Sequence, residues 1–184
     1  ELEKYKSLEL NVEFLTDENK NLQKILETEY FNKNLSNIIL AKVLVDKNSP
    51  FLKSIFINKG TRAGILKGMP VTKDNYLVGR VVETNYLSSR VLLLNDLNSR
   101  IPVTVSPSGT QAILSGIGKR EPSLEYLPDN FILDDKENVV FTSGKDGVLF
   151  PGIAVGKIVI EDNKKLVKLF SDPDQIIFVS VALE

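Results

Sequence analysis

All eleven glycines and all eight prolines of this 184-residue chain lie at or beyond Pro50, which divides it into two kinds of polymer. Both residues interrupt helices, glycine through backbone freedom and proline through its missing N–H. Residues 1–34 contain neither and are rich in Leu, Glu, Lys, Asn and Gln, so one long helix is expected there. Its apolar residues recur as a heptad, with Tyr5, Val12, Asn19 and Leu26 at position a and Leu8, Leu15 and Leu22 at position d. That spacing is the seam of a coiled coil, and about 30 helical residues would form a rod of ~45 Å. Asn19 is the one amide in the seam. At an a position it costs stability but pairs with its symmetry mate, selecting a parallel register. The expectation is therefore a parallel homodimer through these seven residues. The same stripe also suits a single amphipathic helix docked on its own domain, which Phe14 and Ile25, lying off the seam, would fit.

Beyond Asn37 the period changes. Runs of β-branched, aliphatic and aromatic residues follow at 38–45, 52–58, 76–83, 90–95, 101–106, 110–116, 138–143, 153–160 and 175–183. Turn residues punctuate them: Asn48-Ser49-Pro50, Lys73-Asp74-Asn75, Pro107-Ser108-Gly109, Asp162-Asn163 and Asp172-Pro173-Asp174. Short strands at even spacing without intervening helices predict a mainly β fold of sandwich or barrel type. About 150 residues of this kind suit two small barrels rather than one. The expected organisation is a helix over 1–34, a first barrel over 36–98 and a second over 99–174. A C-terminal strand within 175–184 is expected to complete a barrel, the first being the better candidate. Residues 116–138 read as a loop with one short strand around Leu124 to Leu127. Gly60, Gly64, Gly68, Gly79, Gly144, Gly152 and Gly156 are read as structural turn glycines. The four-residue spacing of the first three is only superficially like a phosphate loop, because no Gly-Lys-Ser/Thr and no helix follow.

The stretch "FTSGKDGVLFPGIAVG" (141–156) raises the question of catalysis, because Ser143 precedes Gly144 in a glycine-rich turn. A serine nucleophile needs a base to accept its proton, and the chain has no His. A Ser-His-Asp triad, a thiol nucleophile and a Cys/His zinc site are all excluded by the absence of His and Cys. Lys145 is near, but not at the spacing of a Ser-Lys pair. Ser143 is expected to be a turn residue, with Gly144 and Gly147 supplying positive φ, and no metal or cofactor is implied. A net charge of -1 with evenly mixed signs argues against nucleic acid. No run approaches the ~18 apolar residues of a membrane span. With Glu1 in mid-helix and no initiating Met, the sequence reads as a segment of a longer chain.

A heptad helix followed by "INKGTRAGILKGMPV", "YLVGRVVET", "VLLLNDLNSRIPV", "QAILSG", "LEYLP" and "VVFTSGKDGVLFPGIAVGKI" resembles the rod shape-determining MreC family across nearly the whole chain. The chain departs from the family pattern at Tyr76, at Glu137-Asn138 and at Leu149-Phe150-Pro151-Gly152, all positions of turn geometry. The resemblance implies a coiled coil followed by two chymotrypsin-like barrels without an active site. It implies a periplasmic, non-enzymatic scaffold of lateral wall synthesis, held in the inner membrane by an N-terminal helix absent from this segment. The implied partners are the elongation-specific class B penicillin-binding transpeptidase, MreD and the MreB system. A periplasmic adaptor of an export complex is the alternative, although such adaptors usually flank a helical hairpin with β-structure on both sides.

Overall fold

A computed structural model describes residues 11–12, 14–20, 38–48, 53–128, 131–133 and 137–182. The chain divides into two units, residues 1–36 and 37–184. In the first, residues 11–12 and 14–20 are helical. Val12, Leu15 and Asn19 of the heptad seam fall there, whereas Tyr5, Leu8, Leu22 and Leu26 lie outside the described residues.

The second unit is mainly β. Its strands are β1 (Ile38–Asn48), β2 (Lys53–Ile57), β3 (Pro70–Lys73), β4 (Tyr76–Thr84), β5 (Ser89–Leu93) and β6 (Arg100–Ser106). They continue with β7 (Thr110–Ser115), β8 (Ser123–Glu125), β9 (Val139–Thr142), β10 (Ala154–Glu161), β11 (Lys164–Leu169) and β12 (Phe178–Ala182). A 3₁₀ turn spans Thr61–Ala63. Pairing closes two rings of six. In the first the order is β4-β3-β12-β1-β2-β5 and back to β4; in the second it is β10-β11-β8-β7-β6-β9 and back to β10. One parallel bridge, Ala154 opposite Tyr76, joins β10 to β4.

Local chemistry sets the tightest hairpins. Asp74 and Asn75 between β3 and β4, and Asp162 and Asn163 between β10 and β11, all have positive φ, from 47° to 68°. Two consecutive residues of this kind form the turn whose twist matches paired strands, and Asn and Asp tolerate it best after glycine. The strands β3 and β11 that these turns serve are absent from the runs read in the sequence. Close behind the turn glycines Gly60, Gly64 and Gly68, Pro70 and Val71 are buried and pair with β4. Two of the glycines assigned to turns also need correction. Gly79 lies within β4 and Gly156 within β10, and both serve close approach rather than chain reversal. A Cβ at Gly79 would stand 2.1 Å from the Leu92 carbonyl oxygen, so only glycine lets β4 press against β5 there.

Each ring encloses its own core. Ile55, Ile57, Ile65, Val71, Val78, Val91 and Leu93 pack in the first with Val179 and Val181 of β12. Ile101, Val103, Leu114, Val140, Val155 and Val167 pack in the second. β4 serves both, because neighbouring strand residues point to opposite faces. Val78 faces the first core and Leu77 the second, and Leu93 and Leu94 divide in the same way. The C-terminal strand β12 lies between β1 and β3, pairing Ile39 with Val181 and Val71 with Val181. Deleting residues 175–184 should therefore uncover two strand edges and remove Val179 and Val181 from the first core, leaving the protein insoluble or unfolded. A soluble truncation with a cooperative thermal transition would contradict this.

Candidate functional site

The loop after β9 is closed by its own hydrogen bonds. Thr142, 2% exposed, donates from Oγ1 to the Phe150 carbonyl at 2.6 Å and accepts from the Ile153 N–H at 2.9 Å. Asp146 Oδ1 accepts the N–H groups of Val148 and Leu149 at 3.1 and 3.0 Å. Ser143 donates its N–H to the Pro102 carbonyl at 3.0 Å, and its Oγ accepts the Lys145 N–H at 3.3 Å. The hydroxyl thus caps a turn, and with no His in the chain nothing activates it as a triad serine. Gly144 has φ +71°, and a Cβ there would meet the Pro151 ring at 3.0 Å.

The remaining glycines of interest divide by role. Gly64, Gly68 and Gly152 have positive φ, Gly64 as the residue closing the 3₁₀ turn. Gly60 is extended and pressed against the Asn85–Ser88 backbone. These positions are scattered over both rings and assemble no pocket for a ligand.

Asp96 is a buried polar residue that nothing in the sequence singled out. It sits in the link between β5 and β6 with 0% exposure. Its Oδ2 accepts the Lys53 N–H at 2.6 Å, at the start of β2 in the first ring. Its Oδ1 accepts the Asn98 N–H at 2.7 Å and Asn98 Nδ2 at 3.1 Å. On the other side the link meets the second ring: Gly116 donates to the Ser99 carbonyl and Gly118 to the Asn95 carbonyl. A Cβ at Gly116 would lie 1.8 Å from the Asp96 carbonyl oxygen. The "NDLNS" stretch carries polar turn composition, which gives no sign that its carboxylate is wholly enclosed.

One exposed ion pair shifts a titration. Arg90 on β5 donates from Nε to Glu83 Oε2 at 3.0 Å and from Nη2 to the other oxygen. This hydrogen bonding, opposed by slight desolvation and aided by the charges of Arg90 and Lys67, holds the Glu83 carboxyl below the usual glutamate range. A lowered folded pKa means the pair's contribution is present at neutral pH and is lost as pH falls through that lowered value.

Two closed β-rings sharing a buried junction, with Ser143 held in a turn by backbone hydrogen bonds, define a double-barrel β protein. The family model described as "Rod shape-determining protein MreC, barrel core" matches residues 43–182. The cell shape-determining protein MreC of Cereibacter sphaeroides is 39% identical over 140 residues, covering 76% of this chain and 46% of that protein. A solved structure named MreC superposes with TM-score 0.76 at 25% identity, covering 92% of this chain and 99% of that one. Two more share the fold. The major periplasmic domain from the cell shape-determining filament MreC has TM-score 0.68 at 20% identity, covering 78% of this chain and 93% of that one. The complex between Penicillin-Binding Protein (PBP2) and MreC from Helicobacter pylori has TM-score 0.59 at 15% identity, covering 80% and 99%. The chain belongs to the rod shape-determining MreC family. It spans less than half the length of the curated relative described above.

Three outcomes are expected. Replacing Asp96 by Ala strands buried N–H donors and should cost about 2–3 kcal/mol in urea unfolding. Ser143→Ala should cost at most ~1 kcal/mol, whereas Gly144→Val should cost a few kcal/mol through backbone strain, both read from thermal melts. In an NMR titration the Glu83 carboxyl should have a midpoint below that of an unpaired glutamate, and Arg90→Ala should raise it.

Proposed function

We propose that this chain is the barrel region of a non-enzymatic periplasmic scaffold that maintains rod shape. In this reading it recruits and activates the class B penicillin-binding transpeptidase of cell elongation and links it to MreD and the MreB system. The observation that carries it is the MreC barrel-core match over residues 43–182, which takes in both rings. The solved PBP2–MreC complex, whose fold this chain shares, supports a penicillin-binding protein as the direct partner. Membership of the family supports the periplasmic setting and an N-terminal membrane anchor. Each ring acts as one domain in this proposal, the first being discontinuous because β12 belongs to it.

Dimerisation through the helix is part of the same proposal. Val12, Leu15 and Asn19 fall in the helical residues at i, i+3 and i+7, one face of a helix. Val12 and Leu15 are 58% and 55% exposed, a stripe suited to a second copy. Titration of the cognate transpeptidase's periplasmic part should give saturable binding, unchanged by Ser143→Ala. Loss of a hydrolytic activity on that substitution, with the fold intact, would overturn the scaffold reading. Light scattering should find a dimer at high micromolar concentration, and Leu15→Glu with Leu22→Glu should give a monomer by burying charge in the seam. A wild-type monomer would count against the dimer.

A further inference from the structure

The second ring closes through one thin seam. β10 and β11 pair over six residues, as do β6 and β7, whereas β8 meets β11 at the one pair Ser123–Leu166. The thinnest seam of the first ring, β3 with β12, still has two pairs. A hydrogen bond from the Val167 N–H to the Pro122 carbonyl, at 2.8 Å, lies beside the Ser123–Leu166 pair. The sequence explains why the ladder is so short. Pro122 and Pro128 bracket residues 123–127, and a proline brings no N–H to a ladder. Directly after β8, Tyr126 has φ 61°, a left-handed conformation that bulky side chains rarely adopt. It ends the strand, and its own side chain is left 82% exposed.

Beyond the pair the two strands part. A cleft of about 480 Å³ lies between them, with Leu124, Tyr126 and Leu127 on one wall and Asn163 and Lys165 on the other. Alternate residues of a strand direct their N–H groups to the same side. Val167 donates toward β8, so the Lys165 N–H is aimed at the cleft. On its other side β8 is better held. It pairs with β7 at Ile113–Glu125, Leu114–Leu124 and Ser115–Ser123. The connection from β7 to β8 is pinned to the link between the rings, by Gly116 to the Ser99 carbonyl and Gly118 to the Asn95 carbonyl. Leu124 is the buried β8 side chain in the second core, and Leu127 packs against that core from the edge.

We infer that β8 is a strap on the second ring, hinged along β7, which opens and recloses at the β11 seam in the folded protein. Opening breaks the Ser123–Leu166 pairing and the Val167 bond and withdraws Leu124, while the six-residue ladders on either side of the seam persist. The open state bares the β11 edge at Lys165 and Val167 and gives access to the second core. A closed ring otherwise has no such edge. The seam is thus where the second ring is gated, whatever partner the protein has.

The test is native-state hydrogen exchange, followed by NMR on the whole 184-residue chain. Protection of the Val167 amide should be at least ~100-fold lower than that of Val103, on β6 between β7 and β9. Its exchange should also be nearly independent of urea below the unfolding transition, because a local opening exposes little surface, whereas that of Val103 should rise steeply. Ser123→Cys with Leu166→Cys supplies a lock. The chain has no Cys, so this would be its sole disulfide, and a pair that does not itself exchange hydrogen bonds, as the Val167 bond makes this one, brings Cα atoms to ~4.5 Å, within disulfide range. Oxidation should raise Val167 protection at least ~10-fold relative to Val103, and reduction should reverse it. Equal protection and equal urea dependence of the two amides in the wild type would mean that the seam opens only on global unfolding, and would overturn the inference. An oxidised variant whose Val167 still exchanges as in the wild type would overturn it too. Should the variant fold poorly, the two wild-type measurements decide.

Discussion

The second unit depends on one geometric fact: adjacent residues on β4, and again at the end of β5, are buried in different cores. Leu77 and Leu94 fill the second ring while Val78 and Leu93 fill the first. The Leu94 N–H bonds to the Val78 carbonyl at 3.1 Å, which fixes these two dividing points against each other. A one-residue slip of β4 would exchange its faces and empty both cores at once. Asp96 lies just beyond this junction, with its carboxylate bonded to the start of β2 and its carbonyl against Gly116. Tyr76 and Phe170, with ring centres 4.9 Å apart, pack beside the bridge from β10 to β4. The rings are thus joined by shared interior as well as by chain connection.

Much of the strand pattern was legible because both faces of many strands are buried or alternate cleanly. "VLLLN" and "IPVTVS" could hardly be anything else. β11 escaped notice because three lysines interrupt the apolar pattern of "KKLVKL" and only Leu166 and Val167 are deeply buried. β3 is four residues long and hidden behind three glycines that suggest turns. The hairpins Asp74-Asn75 and Asp162-Asn163 were visible in the sequence, and each implied a strand on its other side, β3 before the first and β11 after the second. Gly79 and Gly156 illustrate a different blindness: glycine as turn and glycine as close-contact residue have the same letter, and only the neighbouring strand distinguishes them. The same holds for Asp96, whose burial depends on where residues 53 and 116 come to lie.

The serine loop shows how a catalytic-looking sequence can be wholly structural. Ser143 Oγ, Thr142 Oγ1 and Asp146 Oδ1 each bond to backbone groups of the loop, and Gly144 supplies the reversal that brings Pro151 beside it. An enzyme would leave the hydroxyl addressed by a base and facing a cleft. Here the loop's polar side chains hold its own backbone in place.

The position of β12 also dictates an order of events. Residues 178–182 follow every strand of the second ring, yet they fill the gap between β1 and β3 in the first. A chain emerging amino end first exposes β1 to β5 with an incomplete ring while β6 to β11 are still being delivered. The strands of the second ring come from one continuous stretch, so its pairings are the more local and should form the sooner. The first ring waits, with two strand edges open, until the far end of the β-region arrives. During that interval it is the part of the molecule most exposed to aggregation, and the part that a holding chaperone would have to recognise.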